Sequence, residues 1–138
     1  MNSTAPVELI AMSDLPDYRI PKEEADPRGW QVVDSNGVPV GTASDLIIDL
    51  QGMIARYIVC SVSRGTAREV LIPTGFARLE NESCTVHLDF VTALDIDALP
   101  THTGLPLTEE FSAQMETAIT GTPPAAAADV PKIVRRNS

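Results

Sequence analysis

Residues 30–62 read WQVVDSNGVPVGTASDLIIDLQGMIARYIVCSV. Asp34-Ser35-Asn36-Gly37 lies between two short runs rich in valine. An Asn-Gly pair supplies the left-handed backbone that a tight hairpin needs, so residues 30–33 and 38–40 are expected to pair. Gly41 then marks a bend. Residues 46–50 (LIIDL) form the next strand, and Gln51-Gly52 turns it into residues 53–62 (MIARYIVCSV).

The same alternation of short strands and turn residues continues outward. Residues 63–67 are a loop around Gly65; residues 69–72 are a strand stopped by Pro73. Residues 76–79 and 85–88 read as further strands around the polar stretch 80–83. Many short strands with regular turns indicate a mainly β domain, a small antiparallel barrel or sandwich. We take this domain as residues 26–100.

The flanks differ. Residues 1–25 carry Pro6, Pro16 and Pro21 and no clean period. Proline removes a donor and fixes φ, so this stretch is read as an extended arm, neither helix nor central strand. In residues 101–121 a loop leads to Thr108, Glu109, Glu110 and Phe111, an N-cap with acids in the first turn. Phe111, Met115 and Ala118/Ile119 then recur at helical spacing until Gly121, which predicts a short C-terminal helix. Residues 122–138 read as a flexible Pro/Ala-rich tail ending in Lys132, Arg135 and Arg136. That basic tip is either a solvated tail or a contact for an anionic membrane surface or an acidic neighbour. No internal repeat occurs.

The 138 residues suit one domain, and 43% hydrophobic content supports a packed core. The formal charge is -9, from 10 Lys+Arg against 19 Asp+Glu. No basic stripe suits nucleic acid. From residue 79 to 131 there is no Lys or Arg, only acids and both histidines. That stretch is either solvated acidic surface or a negative field for cations and protons. No apolar run approaches the roughly 18 residues of a membrane span, and the N-terminus lacks a basic signal region. The expectation is a soluble, cytoplasmic protein that meets a membrane only through partners.

Enzyme signatures are missing: no GxSxG, HExxH, P-loop or GxGxxG occurs. The expectation is a non-catalytic protein with no bound cofactor or metal. Cys60 and Cys84 sit in apolar runs outside any ligand spacing and read as buried reduced thiols. His87 lies in a short strand, as a structural or surface residue or a proton relay; His102 lies beside Pro100 in an exposed loop. One constellation stands out. Asp45 and Asp49 are four apart, so they share a face of a continuous strand. Arg56 lies on the returning strand among apolar neighbours, which implies partial burial and a carboxylate partner, Asp49 across the hairpin. That pair is either structural or part of a proton site.

Residues 26–62 resemble the PRC-barrel family. The features are Gly29-Trp30, Val33-Asp34, Gly37, Val40-Gly41, Asp45-Leu46, Asp49 and Ala55-Arg56-Tyr57. Val70-Leu71-Ile72-Pro73 followed by Phe76-Ala77-Arg78-Leu79 resembles a segment of the photosynthetic reaction-centre H subunit of the purple-bacterial type. Residues 17–20 (DYRI) and 94–100 followed by Glu109-Glu110 are similar to other parts of it. The likeness spans about residues 17–121.

The resemblance implies a cytoplasmic cap on the reaction-centre L and M subunits, peripheral to the inner photosynthetic membrane. Such a cap shields the secondary quinone and assists proton delivery to it. Bacteriochlorophyll, bacteriopheophytin and quinone are then expected in the partner subunits, none in this chain. The H subunit's transmembrane helix is missing, so a separate transmembrane H-type subunit is expected, with a light-harvesting ring as a further neighbour. The proton-transfer candidates are Asp45, Asp49, Arg56, His87, Glu109 and Glu110. The partner-contact candidates are Tyr18, Trp30, Arg56 and Tyr57. The family carries a carboxylate four residues before the barrel arginine; here that position is Gly52, and the matching acid is Asp49. The alternative is a free-standing PRC-barrel adaptor with a non-photosynthetic partner.

Overall fold

The computed structural model describes residues 9–21, 24–63, 67–89, 91–102, 104 and 132–135. The protein is mainly β with one short helix among these residues. In chain order the strands are β1 (Leu9–Ala11), β2 (Tyr18–Arg19), β3 (Gln31–Val33), β4 (Pro39–Asp49), β5 (Ile54–Val62), β6 (Arg68–Pro73), β7 (Arg78–Glu80) and β8 (Thr85–His87). Helix α1 (Ala93–Ala98) and strand β9 (Val134–Arg135) follow. The predicted helix near residues 108–120 lies outside the described residues.

Strands are hydrogen-bonded in the order β6-β5-β4-β3-β8-β7, and β1 adds to β4. All pairs are antiparallel except β3 with β8, which run parallel. Strands β6 and β7 end this path, yet only a 3-10 turn, Thr74–Phe76, and Ala77 separate them in sequence. In a flat sheet the five intervening steps would set them about 24 Å apart. Five residues of chain reach at most about 18 Å. The sheet must therefore curl, and its concave side holds the core. Val32, Val40, Leu46, Ile48, Ile58, Val70, Ile72, Val86, Leu88 and Ile96 are buried there.

The hairpin at Asn36-Gly37 forms as its turn residues require: Gly37 has φ +78° and donates its N–H to the Asp34 carbonyl at 3.0 Å. Gly41 is not a bend. Strand β4 runs unbroken through it, pairing Gly41 with Val32 on one side and Val62 on the other. A Cβ at this position would overlap the Ser61 carbonyl oxygen and stand 2.9 Å from Cys60 Sγ. Glycine here permits close approach of β4 and β5 rather than a turn.

The N-terminal arm also departs from expectation. Its segment Leu9–Ala11 carries no proline and joins β4, Leu9 opposite Asp49 and Ala11 opposite Ile47. Met12 and Leu15 are buried in the core. The physical reason lies in β4, which is 11 residues long against three in β3. Its far half would otherwise lack a hydrogen-bonded neighbour on that side.

Helix α1 is only six residues long and is held at both ends. Thr92 and Asp95 form a reciprocal capping box, and the buried Asp34 carboxylate accepts the Ala93 N–H at 3.0 Å. At the other end the Arg68 guanidinium donates to the Leu99, Ile96 and Asp97 carbonyls at 2.7, 3.0 and 3.1 Å.

Candidate functional site

The hairpin between β4 and β5 brings Asp49 and Arg56 together. Asp49 ends β4 opposite Ile54 and closes the loop of residues 50–53. Its Oδ1 accepts the N–H groups of Gln51 and Gly52 at 3.0 and 3.1 Å. Its Oδ2 accepts Arg56 Nε at 3.0 Å and Nη2 at 2.9 Å. Both oxygens are thereby satisfied inside the protein. Met53 completes the turn in the left-handed region, φ 56°.

Arg56 takes its direction from a β-bulge. Ile47 pairs with Tyr57 and Ile48 with Ala55, so Arg56 is the extra residue on β5. Bulges re-aim a side chain out of the regular ladder. The expected burial is reversed between the two partners: the Asp49 side chain is 4% exposed and that of Arg56 52%. Burial alone pushes the Asp49 carboxyl up. The Gly52 N–H, the hydrogen bond and charge of Arg56, and the Gln51 N–H outweigh it and hold the group below the ordinary aspartate range.

Gly52 occupies the position where the resemblance calls for a carboxylate. A Cβ there would meet Asp49 Oδ2 at 3.3 Å. The carboxylate of Asp49 thus approaches the same spot from the end of the strand.

Asp45 does not join this pair. The register with β5 shifts after Ile47, between the two aspartates, where Arg56 is the extra residue, so Arg56 is aimed at Asp49 alone and spacing by four does not yield a shared site. Asp45 instead accepts the Ser13 hydroxyl at 2.6 Å and the Ser13 N–H at 3.2 Å, fixing the arm to the sheet. His87, on β8, lies 2.7 Å from Glu80 Oε1 on β7 and is also apart from the hairpin. Glu109 and Glu110 fall outside the described residues. Contrary to the exposed-loop expectation, His102 is partly buried. Its N–H donates to the Glu69 carbonyl at 2.7 Å, and burial lowers its imidazole pKa against the opposing charge of Glu69.

Of the contact candidates, Tyr57 is half-buried between Ile47 and Pro73 in the ladder, and Trp30 packs its side chain on the core. Tyr18 is half-buried under Arg135, whose guanidinium carbon lies 5.8 Å from the ring centroid. Strands β2 and β9 pair here as a separate two-stranded ribbon. Ile133, next to it, is buried in the core and donates its N–H to Met53 O at 3.0 Å, while Lys132 bridges to Ile54. Contrary to the flexible-tail expectation, residues 132–135 are thus ordered, and they tie the N-terminal arm to the Asp49–Arg56 hairpin, because Ile133 gains burial and its N–H gains a backbone partner there. Cys60 is buried, but Cys84 is exposed in the β7–β8 turn, against expectation. That turn needs its last residue left-handed (φ 51°), which keeps Cys84 outside the core.

Sequence reasoning passed over two residues that shape the domain. Asp34 is 4% exposed and joins the first hairpin to α1 through bonds to the Asn36, Val38 and Ala93 N–H groups. Arg68 holds the end of the same helix. The Thr92–Asp95 spacing was a usable signal for that helix; the partners of Asp34 and Arg68 lie far along the chain. Among the described residues no three His, Cys, Asp or Glu side chains gather as a metal site, and no helix is long and apolar enough to cross a membrane.

A curled sheet of short strands over one apolar core, with an oriented arginine at one hairpin, defines a small, mainly β domain with one short helix. Residues 23–93, just over half of the chain, match the family model of the PRC-barrel domain, and the chain belongs to that family.

Proposed function

We propose that this protein is the cytoplasmic-side cap subunit of a type-2 photosynthetic reaction centre. It seats on the membrane-embedded L and M subunits through the β4–β5 hairpin. The pigments and the quinones belong to those partners.

The observation that carries this reading is the Asp49–Arg56 pair. A guanidinium that is half-exposed yet fixed by a buried carboxylate is pre-organised for a partner's carboxylate, because little side-chain freedom remains to be lost on docking. Support also comes from the H-subunit-like segments outside the barrel core. Residues 17–20 are held by the C-terminal strand beside the same hairpin.

Asp49 assists proton delivery by its charge. A carboxyl held below its ordinary range carries no proton at neutral pH, and with both oxygens bound inside the protein it does not store the proton itself; it acts by fixing Arg56, whose exposed side orders water and anions near the site. The cap's second contribution is to exclude bulk water from the quinone side.

Arg56→Glu tests the docking role. Tagged wild-type protein, purified from its native membranes in mild detergent, should retain the reaction-centre subunits, and the variant should lose them while remaining folded. Equal retention by both proteins removes Arg56 from the interface.

A further inference from the structure

We propose that the β2–β9 ribbon carries a direct contact for anionic lipid headgroups, centred on Arg19 and Lys132. This develops the membrane-contact reading of the basic tip and extends it to Arg19 of the arm, against the expectation that the protein meets a membrane only through partners.

The cations of the described residues fall into two groups. Arg28, Arg56 and Arg78 are each paired with a carboxylate, of Asp26, Asp49 and Asp89. Arg68 is bound to helix carbonyls, and Arg135 lies over Tyr18 with Asp17 acting on it. Arg19 and Lys132 are exposed, and their side chains make no hydrogen bond or ion pair with the described residues.

The ribbon register brings these two together. Opposite residues of an antiparallel pair share a face, so Tyr18 and Arg135 lie on one side and Arg19 and Val134 on the other. Lys132 is two residues from Val134 on the same extended segment, and the buried Ile133 lies between them pointing the other way. Arg19 and Lys132 are thus diagonal neighbours on the outward face. The described acids of the long stretch without Lys or Arg lie elsewhere: Glu80 on β7, Glu82 and Asp89 on either side of β8, and Asp95 and Asp97 on α1.

Their lack of fixed partners selects the ligand. An oriented guanidinium such as Arg56 suits one carboxylate in one place. Two long, unanchored cations suit a diffuse layer of negative charge, which asks for no single geometry. Because the chain is acidic overall, this contact is local and orients the protein; it is strongly screened by salt.

The test uses the full-length chain and sedimentation with vesicles of phosphatidylcholine alone or with about 40% phosphatidylglycerol, at low salt. Wild type should partition onto the anionic vesicles only. Each cation near such a surface multiplies binding about fivefold, so Arg19→Gln/Lys132→Gln should lower partitioning about thirtyfold. Asn36→Asp/Asn81→Asp changes the net charge equally at two exposed turns and should bind like wild type. Circular dichroism confirms that both variants fold. The proposal falls if wild type ignores anionic vesicles, or if both double variants lose binding equally. It also falls if immobilised polyglutamate holds the protein through this pair while vesicles do not, since the ribbon would then take an acidic peptide. No reaction centre is present in the assay, so its outcome is separate from that of the docking role.

Discussion

Asp49 is buried while the guanidinium of Arg56 that it orients remains half in solvent. The two partners are therefore unequal, and so are the consequences of losing either. Arg56→Gln leaves a buried carboxylate with only two backbone donors; the expected loss is about 2–3 kcal/mol. Asp49→Asn keeps an acceptor for those donors and releases a guanidinium already half hydrated; the expected loss is about 1–2 kcal/mol. Urea unfolding of the two variants measures the order. If Asp49→Asn is the costlier change, the pair does not work as described.

Stability should fall with acid in two separate windows. Burial lowers the pKa of His102 in the folded state, so its contribution is present above the unfolded value of about 6.5 and is lost as pH falls through the lower folded value. Asp49 is also lowered, so its contribution is present above about 3.9 and is lost as pH falls below that. Unfolding free energies across pH should show His102→Asn closing on wild type below neutrality. Asp49→Asn should close on it only below about pH 4.

Gly41 has no room for a methyl group. Gly41→Ala should cost at least about 2 kcal/mol, because the contact is with the Ser61 backbone, which cannot rotate away. Trimming the other neighbour, Cys60→Ala, should not restore the loss. Thermal melts of the single and double variants decide this; full rescue would locate the conflict at the Cys60 sulfur.

The two thiols should differ sharply in reactivity. Burial pushes the Cys60 thiol up to about 12, whereas Cys84 is exposed in a turn. A chromogenic disulfide reagent at neutral pH should titrate one thiol per native chain quickly and the second only on unfolding. Rapid reaction of both would show that β4 and β5 open readily.

Much of the architecture was legible because its determinants are local. Asn36-Gly37 and Gln51-Gly52 specify turns by their own backbone preferences, and the strands beside them follow from β-branched runs. The pairing of Leu9–Ala11 was not legible, since it answers a deficit at residues 47–49 of a strand far along the chain. The same applies to Asp34, whose bond to Ala93 spans 59 residues. At the site, Asp49 with Arg56 followed from charge and hairpin position. The grouping of Asp45 with Asp49 failed because the ladder with β5 shifts after Ile47, which aims Arg56 at Asp49, and because the arm's Ser13 occupies Asp45, a partner that lies 32 residues away. The exposure of Arg56 failed for a related reason: its bulge turns it outward among apolar neighbours.

The central claim is that this barrel caps a pigment-bearing membrane complex. The most direct measurement is the absorption spectrum of whatever co-purifies with the tagged chain from its native membranes in mild detergent. The account predicts near-infrared bacteriochlorophyll bands that are retained through a second purification step. A stable but colourless complex would contradict it, and would assign the barrel to a non-photosynthetic partner.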